Sequence, residues 1–312
     1  MHLKTVIIAT MKKHYLPYLL MLLPPLFWAG NFIAGKAVSD QHIPIGLSFW
    51  RWFFATLVFT PFALKSMLRE YKTIKQNFFS ITILALFSIT AFNSLAYVSL
   101  QYTSATNATL LNSLIPIFIL FIASVFFKEN IRKIQILGIL LSLTGVLVIL
   151  SKLNTNTIIN INFNRGDLWM LLAALDWALY SILLKKFRPK ELSATSFLGV
   201  MMLIGTLFLI PLLYINPLDE PAIEWNSRVS LTLFYIAIFP SIISYLIWNY
   251  GMQKLGAPTG GQYIHLMPFF GALMAIIFLG EKIKSFHLIG ALFIGLGIWL
   301  SIKNKEKENE KL

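Results

Sequence analysis

Residues 101–145 read QYTSATNATLLNSLIPIFILFIASVFFKENIRKIQILGILLSLTG, and residues 253–297 read QKLGAPTGGQYIHLMPFFGALMAIIFLGEKIKSFHLIGALFIGLG. A shift of 152 (253 minus 101) lays one on the other without a gap. It pairs Gln101 with Gln253, Ala105 with Ala257, Leu114 with Leu266, Pro116 with Pro268 and Phe118 with Phe270. It also pairs Glu129 with Glu281, Ile131 with Ile283, Gly138 with Gly290 and Gly145 with Gly297. Further out the match loosens, with Trp28-Ala29 falling on Trp177-Ala178 and Lys36 on Lys185. The chain is one unit written twice.

Composition names the solvent. Hydrophobic residues make up 57% of the chain and charged residues 12%, with a mean hydropathy of +0.72. A soluble domain of this length is far less apolar, so the sequence predicts an integral membrane protein. About 20 apolar residues cross a bilayer as a helix. Such runs lie near 16–38, 45–64, 78–99, 103–127, 133–151, 167–187, 193–215, 229–251, 257–280 and 285–302. They lack the period-2 alternation of a barrel strand, so the expected fold class is all-α, with ten transmembrane helices. The organisation follows: a segment 1–15, a first five-helix repeat over 16–151, a polar linker 152–166, a second repeat over 167–302, and a charged tail 303–312 expected to be unstructured.

Lysine and arginine test that segmentation, because short cytoplasmic loops carry the positive charge. With the N-terminus inside, the inner segments hold Lys65, Arg69, Lys72 and Lys75, then Lys128, Arg132 and Lys133, then Lys185, Lys186, Arg188 and Lys190. The outer ones hold only Lys152, Arg165, Arg228, Lys282 and Lys284, with Lys36 and Arg51 inside helices near that face. The net charge of +13 is thus largely a topology signal and calls for no nucleic acid. Both termini are expected in the cytoplasm. Five helices per unit is an odd number, so the second unit enters the membrane from the opposite side. Inverted repeats of this kind are typical of secondary transporters, whose substrate site lies between the repeats near mid-bilayer.

Several stretches resemble the drug/metabolite transporter superfamily, and within it the ten-helix EamA-type exporters. These are Phe27-Trp28-Ala29-Gly30-Asn31-Phe32, Trp50-Arg51-Trp52-Phe53, Ser104-Ala105-Thr106-Asn107-Ala108 to Pro116, Phe127-Lys128-Glu129-Asn130 and Gly138 to Gly145, with the second-half partners Gly256-Ala257-Pro258 to Pro268, Leu279-Gly280-Glu281-Lys282 and Gly290 to Gly297. The resemblance implies an inner-membrane carrier, generally an exporter, of amino acids or other small metabolites. It also implies a central cavity lined by the first, third, fourth, sixth, eighth and ninth helices.

Candidate substrate-binding residues are the polar and aromatic groups expected at mid-membrane, where they are costly unless they face a cavity or a partner. Asp176 is the acidic residue placed near the centre, followed by Trp177 and, one turn on, Tyr180. It is read as a counter-charge for a substrate ammonium or a protonatable coupling group, against a structural acid paired with a neighbouring helix. His265, on the repeat position of Ser113, either titrates with a proton gradient or is a buried neutral histidine. Trp28, Asn31, Asn93, Tyr97, Asn112, Tyr245, Trp248, Asn249 and Gln262 complete the set. Asn93 and Tyr97 are four apart, as are Tyr245 and Asn249, and the repeat maps one pair onto the other; together they are expected to line one pocket. Arg51 is read as structural, snorkelling toward the outer face to close a gate there, rather than as a substrate ligand. Pro116 and Pro268 are expected to bend their helices, and the seven-residue spacing of Gly138 with Gly145 and Gly290 with Gly297 to permit close helix contact. Glu129 and Glu281, beside Lys128 and Lys282, are read as capping or interfacial pairs.

The sequence has no P-loop, no HExxH, no clustered metal ligands and no cysteine. No enzyme activity, cofactor or metal is therefore expected. The partners expected are a small-molecule metabolite and membrane lipid, without nucleic acid, with proton coupling and the choice of monomer or homodimer open. Import of a nucleotide-like metabolite and lipid handling are the alternatives, and Met11 is a second candidate start.

Overall fold

A computed structural model describes residues 15–154, 163–215, 218–279 and 282–309. Among the described residues, ten helices are long and apolar enough to cross a membrane. They are α1 (Tyr15–Ala37), α2 (Pro44–Arg69), α3 (Phe78–Tyr102), α4 (Ala105–Val125), α5 (Lys133–Ser151), α6 (Arg165–Phe187), α7 (Ala194–Ile215), α8 (Ser227–Leu255), α9 (Ala257–Phe278) and α10 (Ser285–Ile302). No strand occurs among the described residues. The expected spans hold to within a few residues, except that α2 and α8 run longer. Glu281, the first fourteen residues and most of the central linker lie outside the described residues. The tail departs from expectation, since the last helix continues to Asn309. Lys and Glu are good helix formers, and a charged segment can extend a helix already nucleated by packing.

Asparagine sets two of the starts. Asn164 accepts the backbone N–H of Gly166 at 2.7 Å while the Asp167 carboxylate takes the N–H of Asn164 at 2.9 Å, a reciprocal cap for α6. Asn226 accepts from the N–H of Val229 at 2.9 Å and caps α8.

The two halves pack into each other: α2 lies against α7, α5 against α10, α1 against α9, and α6 against α3 and α4. The glycine pairs explain the closest of these contacts. A Cβ on Gly138 would sit 2.7 Å from the carbonyl oxygen of Gly297, and one on Gly145 2.6 Å from that of Gly290. The four glycines form one antiparallel crossing between α5 and α10, in which backbone touches backbone.

Proline works differently from the expected bend. Helix α4 breaks at Ser113–Leu114, and Pro116 begins its second piece, Ile115–Val125. Helix α9 passes through a 3-10 turn at Gln262–His265 before Leu266–Leu279, which holds Pro268 in its first turn. In a first turn the missing N–H is not needed, so the prolines start half-helices rather than kink continuous ones.

Loops tie the halves at both ends. Glu129 reaches Lys185 on α6 at 2.9 Å rather than pairing with Lys128, and Arg228 pairs with Asp40 at 2.6 Å; both pairs are exposed and weak. Beyond the end of α2, Glu70 accepts the Ser193 N–H at 2.9 Å, the Ser193 hydroxyl at 3.1 Å and Arg69 at 3.0 Å. Partial burial pushes this carboxyl up, but the donors outweigh it and hold its pKa below the ordinary 4.5. A carboxyl lowered in the folded state contributes stability that is present above about 4.5 and lost as pH falls through the lowered value. Thermal unfolding against pH should therefore show Glu70→Gln less stable than wild type above pH 4.5, with the two curves meeting in acid; parallel curves would remove Glu70 from the acid response.

Candidate functional site

The site begins with two stretches of widened helix. Residues Leu86–Ala91 of α3 and Ala237–Ile243 of α8 are π-helical, and such turns leave carbonyls without their usual partners. In α8, Pro240 has no N–H to offer, and Ser241 Oγ donates to the carbonyl of Ile236 at 2.7 Å. The carbonyl of Pro240 in turn accepts Trp28 Nε1 from α1 at 3.1 Å. In α3, Ser88 occupies the same repeat position (88 plus 152 is 240), and its carbonyl accepts Asn93 Nδ2 at 2.9 Å and the Tyr245 hydroxyl. Equivalent carbonyls in the two halves thus anchor side chains at the centre of the bundle.

Those side chains hold Arg51. Its Nε donates to Ser241 Oγ at 2.6 Å, and its Nη1 reaches Asn93 Oδ1 at 2.6 Å, the Tyr97 hydroxyl at 3.0 Å and Asn31 Oδ1 at 3.4 Å. The guanidinium carbon also lies 5.1 Å from the ring centre of Trp52, a cation–π contact that offsets part of the cost of burial. Arg51 is 1% exposed. The expected snorkelling is thus overturned: Arg51 is the eighth residue of α2, about 10 Å along its axis, and four inward acceptors hold it there.

A cavity lies against this network, lined by Trp28, Asn31 and Phe32 of α1, Arg51 of α2, Phe92 and Asn93 of α3, Asn112 and Ile115 of α4, Trp177 of α6, Tyr245 of α8, and Ile264 and Met267 of α9. Its volume is about 10 Å³ for the centre of a water molecule, room for roughly one water. In this conformation the cavity is too small to hold a metabolite. Trp28 meets Trp177 at 5.2 Å and Trp248 at 5.1 Å between ring centres, and Trp177 meets Tyr245 at 5.5 Å, all tilted or edge-on. Aromatic faces and edges in this arrangement wall one side of the cavity with little polar surface.

Of the expected site residues, Trp28, Asn31, Asn93, Asn112, Trp177 and Tyr245 line the cavity. Asn93 and Tyr245, on equivalent repeat positions, touch through Nδ2 and the hydroxyl at 3.3 Å. Their companions lie one layer back. Tyr97 donates to Asn31 Oδ1 at 2.8 Å, Tyr180 donates to Asn249 Oδ1 at 2.6 Å, and Trp248 backs Trp28. Gln262 donates to Ser142 Oγ at 3.1 Å. His265 is fully buried; its Nε2 donates to the carbonyl of Ser113 at 2.8 Å and its Nδ1 pairs with the Ser142 hydroxyl. The histidine thus closes the break in α4 from the break in α9 and does not line the cavity. Asp176 also lies outside the lining. It is 8% exposed and its Oδ2 has no partner among the described residues, so the structural pairing weighed for it is not observed. The lining residues missed by the sequence reading, Phe32, Phe92, Ile115, Ile264 and Met267, are apolar and carried no signal in a chain this apolar. Arg51 did carry one, a cation well inside an apolar run.

A bundle of ten membrane-crossing helices, with broken helices meeting at a central polar and aromatic cavity, defines the class of membrane carriers. Residues 16–151 and 164–303 each match the EamA-like transporter family. The chain belongs to that family and is a multi-pass membrane transporter. It is 29% identical to the uncharacterized transporter YyaM of Bacillus subtilis, over 92% of this chain and 93% of that one. An uncharacterized transporter of Archaeoglobus fulgidus is also 29% identical, over 91% and 96%. A chloroplastic WAT1-related protein of Arabidopsis thaliana is 27% identical, over 92% of this chain and 69% of its own. One solved crystal structure superposes with a TM-score of 0.71 over 93% of this chain and 96% of the other at 19% identity, a likeness of fold.

Proposed function

We propose that this transporter exports, or equilibrates, amino acids or related small metabolites across the bacterial inner membrane by alternating access between two inverted five-helix units. The observation that carries this reading is the small central cavity at the breaks of α4 and α9, lined from both units. The contact pattern supports inversion. Asn93 touches its own repeat equivalent Tyr245, and His265 touches Ser113. Gly138 meets Gly297 while Gly145 meets Gly290, the reciprocal pattern of a two-fold axis. The lysine and arginine bias supports cytoplasmic termini. Asn112 adds an Oδ1 without a partner among the described residues, an acceptor suited to a substrate ammonium.

Asp176 is the candidate coupling group. A buried carboxyl without a donor is costly as an anion, and it serves a proton-coupled cycle if solute and proton compete for it. The test is counterflow in proteoliposomes with labelled amino acids and metabolites, for wild type and Asp176→Asn, with and without a pH gradient. We expect wild type to exchange amino acids, and the variant to keep exchange while losing the gradient-driven component. Exchange by neither protein of any amino acid would remove the substrate reading; a variant that still follows the gradient would remove Asp176 from coupling.

A further inference from the structure

We propose that Arg51 is the anion receptor of the cavity and holds the carboxylate of the transported solute. The inference deepens the amino-acid reading and rests on it for the rest of the solute, but its own evidence is the chemistry around one guanidinium. A guanidinium has five N–H donors on three nitrogens. Nε and Nη1 are engaged by Ser241, Asn31, Asn93 and Tyr97, while Nη2 makes no hydrogen bond to a described residue. Every one of those acceptors is neutral. Among the described residues no carboxylate pairs with Arg51 to offset its charge. An arginine that served only to lock helices would be expected to end on a carboxylate or to spend its whole fork on carbonyls. Here Nε and Nη1 are spent on protein, and the two N–H groups of Nη2 are left on a residue that lines the cavity.

The two engaged nitrogens are also held rigidly. Asn93 presents its Oδ1 to Nη1 because its Nδ2 is tied to the carbonyls of Ser88 and Ile89 at 2.9 and 3.1 Å, carbonyls available because α3 is π-helical there. Ser241 presents its Oγ to Nε because its hydroxyl proton goes to the carbonyl of Ile236, which Pro240 leaves without its usual i+4 donor. The two widened helices therefore aim one guanidinium from opposite halves of the chain. A fork fixed in this way loses little freedom when a carboxylate docks, and a low-dielectric cavity strengthens the attraction.

The experiment is competition counterflow in proteoliposomes holding the full chain, using matched sets in which one group changes: an amino acid, its carboxamide, its decarboxylated amine, the corresponding carboxylate without the amine, and a phosphate ester of similar size. Wild type should prefer the acid to the carboxamide by about tenfold or more, the ratio expected for a charge-assisted hydrogen bond made in a buried site. Arg51→Gln should lower exchange and compress that ratio to within about twofold, and Arg51→Lys should restore part of it. If Arg51→Gln does not fold, the analogue series on wild type decides alone. Exchange of carboxylates that lack an amine would retain Arg51 as the receptor and sink the amino-acid reading. Equal use of acid and carboxamide, or transport confined to amines, neutral solutes or phosphate esters, would overturn the inference. So would the absence of exchange together with the absence of any thermal shift of the purified protein by every carboxylate in the set.

Discussion

Gly297→Ala is expected to lower the stability of the folded protein by about 1–3 kcal/mol, the cost of forcing extra volume into a packed contact. The added methyl would meet the carbonyl of Gly138 and lie 2.7 Å from the backbone nitrogen of Ser142. Neither atom belongs to a flexible side chain, so one helix must move. Gly145→Ala should behave alike, because its methyl would lie 2.9 Å from the nitrogen of Ile294 as well as against Gly290. Gly295→Ala is the internal comparison. It sits on the same helix with nothing within 4 Å of the added carbon, and alanine favours helix by roughly 0.5–1 kcal/mol over glycine. Thermal unfolding in detergent should rank Gly295→Ala at or above wild type and the other two well below it. Equal loss at all three sites would mean that glycine is needed for something other than the crossing of α5 and α10.

His265→Leu is expected to cost about 1–3 kcal/mol from the Ser113 carbonyl alone, the penalty for a buried acceptor left without a donor. The Ser142 hydroxyl loses one of its partners in the same step but keeps Gln262 and the Ile139 carbonyl, whereas His265→Gln keeps a donor of similar reach and should be milder. Because both ring nitrogens are spent on α4 and α5 and neither faces the cavity, the pH profile of residual exchange should keep its midpoint. A variant as stable as wild type but with a displaced pH profile would return His265 to the role of a proton-coupling group. The two readings of this residue, titrating site or buried neutral histidine, were indistinguishable in the sequence because both put a histidine at mid-membrane. Its bonds to Ser113, on the equivalent repeat position, and to Ser142 favour the second, and the pH profile tests it.

Arg51 shows the converse. Its depth in α2 was readable, yet its direction was not, since an arginine can reach several ångströms toward either a membrane surface or a bundle centre. Ser241, Asn93, Tyr97 and Asn31 come from three other helices, and no local pattern announces that they converge. Asn93 and Tyr97 share a helix face, as the four-residue spacing requires, but only Asn93 reaches the cavity; Tyr97 lies behind it against Arg51.

What the sequence determined by itself is what depends on length, period and composition: ten spans, because crossing hydrocarbon takes an uninterrupted apolar run; two related units, because the 152-residue register survives in the order of the residues; and the glycine faces, because seven residues return to one side of a helix. What only the tertiary structure decided is where those helices are interrupted and what the interruptions hold. The π segments of α3 and α8, the break of α4 and the 3-10 turn of α9 exist because side chains from distant helices satisfy the backbone groups they release. That satisfaction is a property of the assembled bundle, and so is the charge it leaves facing the cavity.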